Sequence, residues 1–521
     1  MSRTNKTVGM KRFVTGALAC AALAGTIHAL SVHAQTEYSD ERLWIRAGQG
    51  GMLEAETTFD NSLGKLGIVN SAGPVDMTGH PFFEPIGTNG RACVTCHQPS
   101  DAMGLSLASI RQQWDVTGGK DPMFAAVDGA NCPNLDMADP ESHSLLLNRG
   151  LFRVGLPWPP RPRNGVPIEP EFTIEVVRDP TGCNTSPEYG LDSEKPTISV
   201  YRRPRVAANT KYVSYPGGAL NAKRLAMVTD RDPFTGQHMS MNIMSDAREA
   251  SLHTQARSAA RDHLQAAEDL PEEFFEKIVA FEEQIFAAQQ ESAVGGSLAY
   301  EGGPEALGPR NLEKHERGLG DNFGVPLFRN FDMWKPGPGE TQAQREFRES
   351  VARGHDVFFI RVFTISDATH INTVGMGNPM QRTCATCHNS AMVGTDLSAG
   401  WVDVGTTNLP FARESVPNPW SDAKHELPLF KITCDEEARP HPFLGRVIYT
   451  QDPGRALISG KCYDVGSIVM GQFRGLAARA PYFSNGSAST IRDLVDFYDR
   501  RFNIGYTEQE KVDLTNFLSV L

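Results

Sequence analysis

Two short stretches of the chain carry residues that could do chemistry, Cys93-Val94-Thr95-Cys96-His97 and Cys384-Ala385-Thr386-Cys387-His388. C-x-x-C-H is the spacing of a c-type haem attachment site. The two thiols sit one turn apart, so each can add across a haem vinyl group. The histidine that follows then lies beneath the iron as proximal ligand. A thioredoxin-like redox pair also uses C-x-x-C, but it does not require the histidine that stands here both times. A zinc site would need the two motifs to meet, although nearly 300 residues lie between them. The doubled motif therefore predicts two covalently bound c-type haems.

The elements around these motifs read as follows. Residues 1–34 have the form of a secretory signal peptide: a basic start up to Arg12, an apolar run from Phe13 to Leu30, and Val32-His33-Ala34 as a cleavage site. An uncleaved anchor is the weaker reading, because the run is barely long enough to span a bilayer. Export places the protein in the periplasm, the oxidising compartment where c-type haem is attached. Nine cysteines, less Cys20 in the leader and the four of the motifs, leave Cys132, Cys183, Cys434 and Cys462. Two fall in each half, which suggests Cys132–Cys183 and Cys434–Cys462 disulfides. The sequence leaves other pairings open.

Without Arg3, Lys6, Lys11 and Arg12 of the leader, 46 basic residues face 62 acidic ones, a net charge of −16. Such a field disfavours nucleic acid and anionic membrane, and it suits a basic electron-transfer partner.

Residues 35 to about 90 show little periodicity, and Gly87-Thr88-Asn89-Gly90 reads as a loop into the first motif. Residues 117–250 form a proline- and glycine-rich insertion with strand composition at Phe172–Val177 and Thr197–Tyr201. A helix capped by Ser251 carries Leu252, Ala256, Ala259, Ala260 and His263. A second runs from Pro271 through Phe274, Phe275, Ile278, Phe281 and Ile285. A third spans about Thr341 to Phe359. Helices at Thr490–Tyr498 and from Thr507, with a Thr507-x-x-Glu510 capping box, close the chain. The expected fold is mainly α. Two cytochrome c-like haem domains, 35–295 and 341–521, carry irregular, partly β insertions, and 296–340 connects them.

The occupant of each iron's sixth position decides between electron transfer and chemistry. Downstream of the second motif the candidates are Met392, Met470 and Tyr498.

Asp452-Pro-Gly-Arg-Ala-Leu457, Cys462-Tyr-Asp-Val-Gly466 and Arg474-Gly-Leu-Ala-Ala-Arg-Ala-Pro-Tyr-Phe-Ser-Asn-Gly-Ser-Ala488 resemble the bacterial di-haem cytochrome c peroxidase superfamily. That group includes MauG-type enzymes and RoxA-type rubber oxygenases. Ser251-Leu252-x-x-Gln255-Ala256, Phe281-Glu282-x-x-Ile285 and Arg353-Gly354-x-x-Val357-Phe358 carry the resemblance further. It implies oxidant chemistry at the His97 haem and electron relay through the His388 haem. Ser484 stands where the family usually has histidine. Fourteen residues on, Tyr498 takes the sixth-ligand position, as tyrosine does in MauG-type enzymes.

The same resemblance expects a blocking histidine where this chain reads Arg111-Gln-Gln-Trp114, so the first haem is expected to be open. His143 is a remote replacement. A tryptophan expected between the haems is absent from Ser245-Asp246-Ala247-Arg248, leaving Trp114 or Trp158 as substitutes. The distal glutamate maps onto Gln265, which cannot exchange a proton as a carboxylate does, and His263 is the nearby candidate acid/base. Calcium is implied between the domains, held by Asn209 and the backbone near Arg479 and Pro481.

The leading expectation is a peroxidase/MauG-like di-haem oxidoreductase that reduces hydrogen peroxide. Its electrons would come from a small cytochrome c, a cupredoxin or an organic substrate. A RoxA-like oxygenase would instead use dioxygen to cleave an apolar or aromatic alkene. A non-enzymatic electron-transfer cytochrome is the third reading. Many relatives associate in pairs, so a homodimer is also expected.

Overall fold

A computed structural model of the chain describes residues 43–161, 166–214, 240, 242–266, 270–314, 331, 334, 337, 339–369, 378–388, 401–409 and 426–521. The segment expected to be a signal peptide, Met392 and much of the expected 296–340 connection lie outside these residues. Among those described, no helix is long and apolar enough to cross a membrane.

The stretch without clear periodicity builds a hairpin, β1 (Glu56–Asn61) and β2 (Gly64–Asn70). Helix α1 (Leu107–Thr117) follows the first motif, its Ser106 side chain accepting from the Ser109 amide. The insertion contributes β3 (Phe152–Pro157), β4 (Phe172–Arg178) and β5 (Thr197–Arg202), with β3 and β5 paired antiparallel. The Cys132–Cys183 disulfide ties this region together.

Helix α2 (Leu252–Asp262) starts at Ser251, whose hydroxyl accepts from the Thr254 amide at 3.2 Å. Helix α3 (Glu272–Gln284) begins after Pro271. It ends one residue before Ile285, which sequence periodicity places in the helix. Ile285 instead opens β6 (Ile285–Ser292), antiparallel to β2 with Ile68 opposite Ala287. The reason is burial on both faces: Ile285, Phe286, Ala287 and Ala288 are all enclosed, as a central strand requires.

In the second half, α4 (Gln342–Ile360) is capped by Thr341. Strands β7 (Leu429–Cys434) and β8 (Val447–Thr450) pair with each other, and β7 also pairs with β4, Phe172 opposite Cys434. The insertion thus shares a sheet with the C-terminal half. That sheet covers a core of Phe172, Val200, Phe430, Ile432 and Leu457, beside the Cys434–Cys462 disulfide.

Helices α5 (Ile491–Phe502) and α6 (Glu508–Ser519) end the chain. The Thr507–Glu510 capping box forms in both directions, at 2.8 and 3.1 Å. Helix α6 crosses α4 at Gly354, where a Cβ would overlap the Asp513 carbonyl. Arg353 beside it donates to both Asp513 carboxylate oxygens at 2.9 Å.

Candidate functional site: two cavities, one at each motif

Both motifs fold alike. Each Cys-x-Thr is a single tight turn, and the histidine amide bonds back to the first cysteine's carbonyl, at 3.1 Å for His97 and 3.0 Å for His388. The four motif cysteines form no disulfide, whereas the other four described are paired in two. Burial pushes the Cys96 thiol up to about 12 and the Cys384 thiol to about 11, so both are protonated at neutral pH. The two motifs line separate cavities, and no group of three or more metal-ligating side chains occurs among the described residues. The zinc reading therefore falls.

The N-terminal cavity encloses about 200 Å³ between the Cys93–His97 turn, α2 and α3. His97 Nδ1 lies 3.1 Å from the Met103 carbonyl. A carbonyl only accepts, so Nδ1 carries the proton and Nε2 keeps its lone pair for a metal. Ala102 and Met103, both at φ 58°, make the left-handed turn that presents this carbonyl. Burial lowers the His97 ring below its ordinary value, and the nearby His263 lowers it further.

His263 caps α2 and lines the same cavity. Its Nδ1 lies 2.9 Å from the Asp128 carboxylate, which also takes 2.9 Å from Arg91. Burial alone would raise the Asp128 carboxyl, but His263 and Arg91 hold it below the usual carboxylate range. Asp128 is thus ionised and holds the His263 ring through Nδ1 at the cavity wall. Arg91 is itself fully buried, its remaining donors on the Pro122, Met123, Ala125 and His263 carbonyls. The Gly87–Gly90 loop clamps the far side: Asn89 donates to the His263 carbonyl, and a Cβ at Gly87 would overlap that of Leu264.

Gln265, onto which the distal glutamate maps, does not reach the cavity. It is exposed with a left-handed backbone (φ 55°), because α2 has already ended at Asp262. A carboxyl is nonetheless present. Glu282, one turn from Ile278 on α3, lines the cavity, and burial followed by repulsion from Glu283 pushes it up to about 8. One of its oxygens has no hydrogen-bond partner. Asp128 leaves no sequence signal of its pairing, and Glu282 lay in view inside the Phe281-Glu282 motif.

His143 is fully buried with both ring nitrogens on carbonyls, Gly129 at 2.8 Å and Met137 at 3.1 Å, so it has none left for a metal. Trp114 packs edge-on to Phe124, and Trp158 packs on Phe172. Neither lines either of these two cavities. Ser245, where the resemblance expects tryptophan, lines both.

The C-terminal cavity encloses about 260 Å³, with mostly apolar walls that include Phe358, Phe363, Val402 and Leu514. Phe358 and Phe473 flank the His388 ring. Tyr498, from the middle of α5, points its oxygen at His388 Nε2 across 3.4 Å. Burial pushes its phenol well above the ordinary value, reinforced by Cys387 and Cys384. Met470 lines the same cavity.

Of the groups named for calcium, the Asn209 side chain and the Arg479 carbonyl are already committed. Asn209 accepts from the Ala287 amide at 3.1 Å and donates to the Ala287 carbonyl and to Gln472, while the Arg479 carbonyl accepts from Arg203. These oxygens do not fit a calcium shell of six or more open oxygen ligands.

No protein-family model matches the chain, and no curated protein does. Among solved structures, Kuenenia stuttgartiensis hydrazine synthase is similar at 13% identity and TM-score 0.28, over 62% of this chain and 73% of that one. A MauG-like protein associated with microbial copper homeostasis is similar at 15% identity and TM-score 0.25, over 54% of this chain and 72% of that one. Scores this low assign neither a fold nor any residue's role.

Proposed function

We propose that the chain is a periplasmic di-haem c-type oxidoreductase of two cytochrome c-like units with partly β insertions. Peroxide would be reduced beside His97, with electrons entering through the His388 site. The observation that carries this reading is the asymmetry of two otherwise matching cavities. At His388 a phenol oxygen faces Nε2. At His97 the polar groups at the wall are instead an oriented acid/base, His263 on Asp128.

The residues fit the cofactor. Each cavity presents two half-buried thiols and a histidine, and its walls carry apolar side chains beside charged ones. Cys93, Cys96, Cys384 and Cys387 would hold the two haems covalently, with His97 and His388 as proximal ligands. When bound, haem supplies an iron that binds oxidant or passes single electrons, as its axial positions allow. Tyr498 would fill the sixth position at the second site and exclude other ligands there. At the first, His263 Nε2 would take a proton from an incoming hydroperoxide and return it to the departing oxygen as water leaves. Asp128 would hold the ring for both transfers. A small basic cytochrome c or cupredoxin would suit the acidic surface as donor.

Electron paramagnetic resonance of the ferric holoprotein, before and after peroxide, tests this. A high-spin signal from one haem that disappears on peroxide addition is the expected result. Two low-spin signals indifferent to peroxide would leave an electron carrier. A high-spin signal that ignores peroxide would turn the reading to dioxygen and a RoxA-like oxygenase.

A further inference from the structure

The two cavities share a wall. Arg203, Pro204, Arg205 and Val206 line both, directly after strand β5. The preceding residue, Arg202, is buried and fully compensated, with Asp246 at 2.5 Å and Asp452 at 2.6 Å. Arg203 and Arg205 are not. Among the described residues, Arg203 donates only to the carbonyls of Leu105, Arg149 and Arg479, and Arg205 only to those of Val469 and Met470.

Arg479, which lines the C-terminal cavity, donates to the Gln472 carbonyl, and its buried Nε has no partner. Burial lowers all three to about 10, with Arg479 contributing to the lowering of Arg203 and Arg205; Asp101 and Asp246 act on those two only at a distance. A buried guanidinium without a counter-charge is costly, and native proteins pair such groups. Here three converge on two cavities with no carboxylate of the described chain bonded to them.

We propose that Arg203, Arg205 and Arg479 form one cationic partition that receives the propionate carboxylates of both haems. This rests on the haem reading above. Guanidinium is the side chain best shaped to take a carboxylate through two parallel hydrogen bonds. Haem carries two carboxylates on one edge, so an apolar cavity with cations on one wall fixes which edge points inward. The charges on that wall also favour the reduced iron on either side, and Arg205 acts on both because it lines both cavities.

The test uses holoprotein and reads both midpoint potentials by spectroelectrochemical titration, with haem content measured alongside. Arg205→Gln keeps a donor but removes the charge. It is expected to cut the ferrous:ferric ratio of both haems about tenfold at fixed potential, ~59 mV for one electron. Arg479→Gln is expected to shift only the C-terminal haem by that amount, and Arg205→Lys to restore most of the loss. Two haems with unchanged potentials in the folded Gln variants would overturn the partition and leave the haem reading intact. A wild-type chain that takes up no haem in a host competent for c-type maturation would overturn both.

Discussion

The Tyr498 oxygen and His388 Nε2 face one another across 3.4 Å, their ring planes at 88°. Among the described residues His97 has no such opposite: its hydrogen bond is the one from Nδ1 to Met103, on the side away from Nε2. Under the haem reading proposed above, Tyr498 would be the second residue to hold the iron that His388 binds. Tyr498→Phe should therefore open the second iron, adding a high-spin ferric signal. Losing a phenolate removes a ligand that favours ferric iron, so the midpoint potential of that haem should rise by ~100 mV, within the range axial ligands span. Phenylalanine keeps the packing on Phe497 and Phe502, so stability should hold. An unchanged spectrum would point to Met470 in the same cavity.

His263→Gln should lower peroxide turnover about 10²–10³-fold, the usual contribution of a positioned acid/base, while leaving both midpoint potentials in place. Gln265→Ala should change turnover less than about twofold, because Gln265 is exposed and outside the cavity. Stopped-flow with peroxide reads both. Equal losses from the two variants would return the acid/base role to the position given by the family alignment.

The contrast between residues 263 and 265 shows what the sequence could and could not carry. The Ser251 cap and the helical spacing after it were legible, because they are local. Which of two nearby side chains enters the cavity depends on where the helix stops, and the left-handed backbone at Gln265 is a tertiary outcome. Ile285 was misplaced for a related reason. It continues the apolar spacing of Phe281 and Ile278, and only pairing with β2 converts it to strand. Both disulfides were legible from an even cysteine count once the motifs were set aside. The Asp128–His263 pair and the arginine partition were not, since their members are distant in sequence and isolated polar residues leave no pattern.

Asp246 gives a pH prediction independent of any cofactor. Burial alone would raise its carboxyl, but Arg248 and Arg202 overcome that and hold it at about 2 against an ordinary 3.8. A folded-state value below the unfolded one means the stabilisation is complete above about pH 4 and is lost as pH falls through 2. The shift corresponds to ~2 kcal/mol. Asp246→Asn should lose about 3–5 kcal/mol at neutral pH, because Arg202 and Arg248 lose a buried partner. Its denaturant midpoint should then fall less steeply than wild type between pH 4 and 2. Parallel acid limbs would mean the carboxylate is not the charged centre of this network.

The calcium that the resemblance implies should have no effect here. Asn209 already spends its oxygen on the Ala287 amide and its nitrogen on Ala287 and Gln472, and the Arg479 guanidinium stands beside that cluster as a built-in cation. Prolonged treatment of holoprotein with a strong chelator should leave the haem spectra, both potentials and peroxide turnover unchanged. Asn209→Ala should still destabilise the fold, by about 1–3 kcal/mol, because it strands buried backbone groups of Ala287. Those two results together separate a structural asparagine from a metal ligand. If chelation slowed turnover and added calcium restored it, the oxygens around Asn209 would have to regroup on metal binding, and the guanidinium would have to leave the Gln472 carbonyl to let the ion in.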